Sequence, residues 1–285
     1  MRLALALLSL VLVPACGGKP NLETAHDKAL IAARPYQIDI PAQLGNGPAP
    51  LILLLHGYGA SGDLQDIYFG FMQLADDRRV LVAHPDGLID SHMSRFWNAD
   101  DACCDLDGNG VDDVAYLNAV VDDVEAHFNV DPKQVYIVGH SNGAFMAHRL
   151  ACDSTPRFAG IVALAGDVWK DASKCKPTGA IAVLQVHGDA DTVVPYAGNA
   201  TMPSATQSVA TWATKNGCHG TLAPTGQTFD LVAALPGAET AVSAYSCTQG
   251  AAELWTIHGG GHLPVFTFPD WGNHVFDWLS AHARK

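Results

Sequence analysis

The sequence predicts an α/β fold, a mostly parallel central sheet flanked by helices on both faces, and three observations carry that prediction. Short runs rich in Val, Ile and Leu alternate with longer stretches of helical periodicity, the pattern of repeated strand–helix–strand units. Those runs are apolar throughout rather than at every second residue, as strands covered on both faces must be. The chain has 285 residues, 48% of them hydrophobic, which is enough for one sizeable core. One domain over residues 34–285 is therefore expected.

In chain order, an antiparallel edge strand is expected at residues 36–40. Buried strands follow at 51–55, 80–83, 135–138, 161–164, 181–186 and 254–257. Helices are expected at 114–128, where Val114, Leu117, Val121, Val124 and Phe128 share a face, at 144–151 and at 271–282. Residues 228–246, with Pro236-Gly237 between two mixed runs, read as a hairpin inserted before the last strand.

Charge and the N-terminal segment narrow the setting. The chain carries 29 acidic and 16 basic side chains, a formal charge of −13, which repels phosphate backbones, so nucleic acid is not an expected partner. Arg2, the largely apolar run 3–13 and then Pro14-Ala15-Cys16-Gly17-Gly18 are too short to cross a bilayer and predict a signal peptide over residues 1–16. Val13-Pro14-Ala15 before Cys16 resembles a bacterial lipobox, although Pro14 is an unusual middle residue. On that reading Cys16 is lipidated and becomes the mature N-terminus, and the membrane is engaged only through that lipid. Cleavage at a nearby small residue is the alternative, and both routes export the chain. Residues 17–33 then form a polar tether.

Without Cys16, an even set of cysteines remains, Cys103, Cys104, Cys152, Cys175, Cys218 and Cys247, in a compartment that permits disulfides. Proximity along the chain favours Cys152 with Cys175 and Cys218 with Cys247. Cys103 and Cys104 are left for each other in a vicinal bridge, or for a shuffled pairing. The thiols are scattered and no C-x-x-C occurs, which argues against a zinc site.

The chemistry centres on Gly139-His140-Ser141-Asn142-Gly143. A buried strand precedes this G-x-S-x-G turn and a helix follows it, the context of a nucleophile elbow in an α/β-hydrolase fold. A serine hydroxyl needs a base to take its proton, and the base needs an acid to hold its tautomer. In this fold the chain order is serine, acid, histidine. The strand at 181–186 runs into His187-Gly188-Asp189-Ala190-Asp191, and the strand at 254–257 runs into His258-Gly259-Gly260-Gly261-His262. Both deliver candidates to the C-terminal ends of strands, where open α/β sheets keep their sites. Spacing alone leaves Asp189 beside Asp191 as the acid and His258 beside His262 as the base. The glycines let His262 swing over the serine, whereas His258 belongs to the strand and points sideways. The oxyanion donors would be the backbone N–H groups of Asn142 and of Tyr58, in the loop His56-Gly57-Tyr58-Gly59. Trp97 and Trp169, near strand ends, are candidates to line the substrate pocket.

Several strings together resemble the polyhydroxybutyrate depolymerase and feruloyl esterase family of secreted serine esterases. They are Leu55-His-Gly-Tyr-Gly-Ala-Ser-Gly, Phe96-Trp-Asn, Val111-Asp-Asp-Val, Gly139-His-Ser-Asn-Gly-Ala, His187-Gly-Asp-Ala-Asp-Thr-Val-Val-Pro-Tyr and Trp255-Thr-Ile-His-Gly-Gly-Gly-His-Leu-Pro. The resemblance implies Asp191 as acid and His262 as base, and an exported esterase working through an acyl-enzyme without a cofactor. The substrate it implies is a polyhydroxyalkanoate-like polyester, with feruloyl or acetyl-xylan esters as the alternative. An acyltransferase would use the same triad, and a non-catalytic binding protein would require a broken one. One stretch departs from the family pattern. Asp105, Asp107, Asn109 and Asp113, with Gly110 between them, follow the spacing of an EF-hand calcium loop, but Tyr116 stands where its bidentate Glu belongs. The favoured reading is an Asx-rich turn in which Asp112 or Asp113 caps the next helix, with no metal.

Overall fold

The apolar runs lie side by side in a nine-stranded sheet. The computed structural model describes residues 24–285; the expected signal peptide, Cys16 and the start of the expected tether lie outside the described residues. The chain opens with helix α1 (Ala25–Ala33), strand β1 (Gln37–Asp39), strand β2 (Ala49–Leu55), helices α2 (Gly62–Phe69) and α3 (Phe71–Arg78), and strand β3 (Leu81–His84). A small hairpin, β4 (Leu88–Ile89) and β5 (Arg95–Phe96), precedes helix α4 (Asp113–His127), strand β6 (Val130–His140) and helix α5 (Asn142–Asp153). Strands β7 (Gly160–Leu164) and β8 (Ala182–Gly188) and helix α6 (Ala205–Lys215) follow. The chain closes with β9 (His219–Phe229), β10 (Thr240–Ser246), β11 (Ala251–Ile257) and helix α7 (Asp270–Ala281).

The sheet order is β1-β3-β2-β6-β7-β8-β11-β10-β9. From β3 through β11 every neighbour is parallel, and the edge pairings β1–β3, β11–β10 and β10–β9 are antiparallel. Successive side chains of a strand point to opposite faces, and the core divides accordingly. Leu51, Leu53 and Leu55 pack with Leu117, Phe145 and Trp212 of α4, α5 and α6. Ile52 and Leu54 pack with Phe69, Leu74 and Trp271 on the other face. Leu53 is fully buried, so its truncation to Ala should cost about 2–5 kcal/mol.

Three parts of the sequence reading are corrected. Residues 25–33 are not a tether: Thr24 caps α1, and Leu30 and Ile31 pack on the first face. Arg34 ends the helix against α4, 2.7 Å from Asp113 and 3.4 Å over the Tyr116 ring. The turn at residues 230–239 does separate two strands, but the first of them begins back at His219 and pairs with β10 along its length. β9 is mostly exposed, so it carries no burial pattern to read. Helices α2, α3 and α6 were also not anticipated, being short or weakly patterned. Three disulfides join Cys103 to Cys104, Cys152 to Cys175 and Cys218 to Cys247. No helix among the described residues is long and apolar enough to cross a membrane.

Candidate active site

Strand β6 ends at His140 and α5 begins at Asn142, so Ser141 alone makes the turn, at φ 54° and ψ −121°. A non-glycine residue in that region is strained and must be held by its surroundings. The packing around it shows why the flanking glycines are required. A Cβ at Gly139 would stand 2.2 Å from the Gly143 carbonyl oxygen, and one at Gly143 would stand 2.2 Å from that of Leu55. Gly166, just past β7, belongs to the same turn, since its Cβ would stand 2.6 Å from the Ser141 carbonyl oxygen. Sequence reasoning missed it because it is near only in space.

The loops after β8 and β11 bring Asp191 and His262 to this turn. His262 Nε2 lies 2.9 Å from Ser141 Oγ, and His262 Nδ1 lies 2.8 Å from Asp191 Oδ2. The other carboxylate oxygen, Oδ1, accepts from the Val193 and Val194 amides at 2.8 and 3.0 Å. Burial alone would raise the Asp191 pKa. Hydrogen bonds from His187, His262 and the Val193 amide outweigh it and hold the carboxyl well below the usual carboxylate range. An ionised acid therefore faces the side of the imidazole away from the serine, which favours a basic Nε2 toward the hydroxyl. Asp189 and His258 form a separate pair at 2.9 Å, more exposed than the first.

Two further histidines, not singled out by the sequence, hold the loops around the serine. His140 Nε2–H donates to the His262 carbonyl at 3.0 Å, with the two rings 5.1 Å apart. His56 accepts the Gly87 N–H on Nε2 at 2.8 Å, so its proton sits on Nδ1 and donates to the Gly57 carbonyl. Burial pushes each down to about 4, so both rings are neutral at pH 7.

The loop carrying Tyr58 runs over Ser141: a Cβ at Gly57 would stand 3.3 Å from Ser141 Cβ. Asn142 is the first residue of α5, where a backbone N–H has no helical acceptor. Its buried side chain accepts from the Trp97 N–H at 2.7 Å and donates to the Trp97 carbonyl at 2.9 Å. That pairing corrects the reading of Trp97 as a pocket wall. The ring is 0% exposed and its indole donates to the His56 carbonyl at 3.0 Å, so Trp97 supports the loop from beneath. Trp169 packs on the first core face, under the Arg149 guanidinium, and keeps 7% of its surface exposed.

The calcium-like loop uses its oxygens on the protein itself. Asp105 accepts from the Asn109 and Gly110 amides, Asp107 from Ser91, and Asp113 from Arg34 and the Asn98 amide. Asp112 caps α4 through the Ala115 amide. Among the described residues no group of His, Cys, Asp and Glu is arranged to hold a metal.

Residues 43–224 match the phospholipase/carboxylesterase family model, a span that includes Ser141 and Asp191. The chain is 33% identical over 244 residues to esterase NocK of Nocardia uniformis subsp. tsuyamanensis, covering 77% of this chain and 67% of that one. It is 30% identical over 216 residues to feruloyl esterase C of Emericella nidulans, covering 73% and 70%. The chain thus spans about two thirds of the length of these curated relatives. Among solved structures, the acetyl xylan esterase from Aspergillus awamori superposes with a TM-score of 0.62 at 16% identity, covering 85% of this chain and 92% of that one. Esterase PE8 superposes at 0.57 and 20% identity, covering 87% and 98%; at such identities the likeness is one of fold. The chain belongs to the phospholipase/carboxylesterase family, ester hydrolases of the α/β-hydrolase fold.

Proposed function

We propose that this chain is an exported serine esterase that cleaves carboxylic esters through an acyl-enzyme. The carrying observation is the line from Ser141 Oγ to His262 at 2.9 Å and on to Asp191 at 2.8 Å. Ser141 attacks the ester carbonyl while His262 takes its proton and passes it to the leaving alcohol. The backbone N–H groups of Tyr58 and Asn142 hold the developing oxyanion. Water, activated by the same imidazole, then releases the acid. Ser141→Ala should remove hydrolysis of p-nitrophenyl acetate while the melting curve stays cooperative; retained turnover would refute the assignment.

For the substrate, the names of the relatives favour feruloyl or acetyl-xylan esters over a polyhydroxybutyrate-like polyester. Feruloyl esterase C of Emericella nidulans is 30% identical, and a bifunctional acetylxylan esterase/xylanase of Neocallimastix patriciarum is 26% identical over 165 residues. Release of ferulate from feruloylated arabinoxylan and of acetate from acetylated xylan should exceed clearing of a polyhydroxybutyrate film. The reverse ranking would restore the polyester reading. Export is supported by the three disulfides, which persist in oxidising compartments, and by the signal-like N-terminus. Lipidation at Cys16 predicts that Cys16→Ser shifts the protein out of the membrane fraction.

A further inference from the structure

Asp191 has a second imidazole beside it that the proposed mechanism does not use. His187, at 0% exposed, places Nε2 3.5 Å from Asp191 Oδ2 and 2.9 Å from the Val194 carbonyl. Behind it runs a chain of buried polar side chains. Gln185 Nε2 lies 3.2 Å from His187 Nδ1 and donates to the Gly166 carbonyl at 2.9 Å. Gln185 Oε1 accepts from His148 Nε2 at 3.0 Å, and the Trp212 indole donates to His148 Nδ1 at 2.9 Å.

Every proton in this chain is assigned by groups that have no choice. An indole N–H only donates, so His148 must accept on Nδ1 and carry its proton on Nε2. Backbone carbonyls only accept, so Gly166 fixes the Gln185 amide and Val194 fixes the His187 proton on Nε2. The assignments agree from both ends. The chain ties α6, α5 and β8 to the loop that carries Asp191, and α5 is the helix that begins at Ser141.

We propose that His187 is a positioning residue for Asp191, kept singly protonated on Nε2 by the Trp212–His148–Gln185 chain. Its N–H donates to the Val194 carbonyl and toward Asp191 Oδ2, so the carboxylate presents itself to His262 in one orientation with part of its charge already engaged. Gln185 does the complementary work. Burial disfavours charge on His187, but the hydrogen bond to Asp191 and the nearby Asp167 carboxylate outweigh it and raise its pKa above the usual imidazole value; against that pull, the Gln185 amide, donating to Nδ1, occupies the position where a second proton would go. This rests on the reading of Asp191 as the catalytic acid.

The two roles predict shifts of opposite sign in the acid limb of the kcat/KM–pH profile for p-nitrophenyl acetate. The titratable groups around the Asp191–His262 couple are His140 at the end of β6, Asp167 beyond β7, His187 at the end of β8, and the Asp189–His258 pair across the two loops. His187→Leu removes a donor from Asp191, makes the couple more basic, and should move the limb up by about half a unit, with kcat/KM at pH 7 falling about tenfold. Gln185→Leu lets His187 take a second proton, and should move the limb down by a similar amount. His187→Gln keeps a donor at the Nε2 position and should restore the parent limb.

Superimposable profiles for His187→Leu and Gln185→Leu, or shifts of the same sign, would overturn the proposal. If His187→Leu does not fold, the other two variants decide: a downward limb in Gln185→Leu with an unshifted His187→Gln supports it, and an unshifted Gln185→Leu sinks it. Ser141→Ala serves as the control that separates failures. If that variant remains active the esterase assignment itself fails, and if it is dead only the role of His187 is in question.

Discussion

Two acid–imidazole pairs bridge the same two loops. Asp191 meets His262 at 2.8 Å and Asp189 meets His258 at 2.9 Å, so contact distance does not distinguish them. Their surroundings do. The side chains of the first pair are 0% and 14% exposed, and those of the second are 37% and 61%. Asp191 is also gripped by two amides and neighboured by His187, and its partner reaches Ser141. Asp189 accepts from the Gly259 amide and ties the two loops together at the surface. A carboxylate beside a histidine becomes useful for catalysis where water is excluded and a nucleophile completes the line; in solvent the same contact is worth about 0–1 kcal/mol.

The comparison breaks most sharply on activity. His262→Ala should lower kcat by about a thousandfold or more, and Asp191→Asn by up to about ten-thousandfold, because the wrong tautomer faces the serine. His258→Ala and Asp189→Asn, measured on the same ester, should change kcat less than about tenfold; equal losses from the two pairs would mean that the pairs have been misassigned. A middle-sized effect is expected from Asn142→Ala. It leaves the Trp97 backbone groups unpaired in the interior and should cost about 2–4 kcal/mol in urea melts, with a further loss of activity as the loop carrying Tyr58 loosens.

The smallest effect concerns pH and stability. Asp191 has its pKa lowered by its hydrogen bonds, so its stabilisation is present above the unfolded carboxylate pKa and fades as pH falls through the lower folded value. Asp167 behaves in the opposite sense. It is 1% exposed, and burial pushes its carboxyl up to about 6, so stability is full below the unfolded pKa and is lost as pH rises through about 6. Asp167→Asn should therefore flatten the fall in Tm between about pH 4 and pH 7, by on the order of 4 °C. An unchanged fall would place the pH sensitivity elsewhere, with half-buried Asp100, raised to about 7, the next group to substitute.

Much of this site was legible because it follows local rules. The strand before Ser141, the helix after it and the glycines at 139 and 143 describe one sharp turn, and the distances of 2.2 Å show why no other residue fits there. What was not legible depends on contacts between distant residues. Trp97 looked like a pocket wall from its place near a strand end, yet its backbone is paired with the Asn142 side chain. His187 gave no sign of the chain that reaches it from Trp212. Residues 25–33 read as a tether because a helix this short is marginal alone; it needs α4 and the Arg34–Asp113 contact to hold it.

By itself, the sequence determined the buried strands, the turn at Ser141, the order Ser141, Asp191, His262 along the chain and the pairings Cys152–Cys175 and Cys218–Cys247, because burial periodicity, turn sterics and chain proximity are properties of short segments. Spacing left two aspartates and two histidines open, the resemblance implied Asp191 and His262, and the tertiary structure is what brings that pair to the serine. Candidates two and four residues apart leave the same strand ends, and the direction each side chain takes is set by amides, carbonyls and neighbouring rings contributed from elsewhere in the chain.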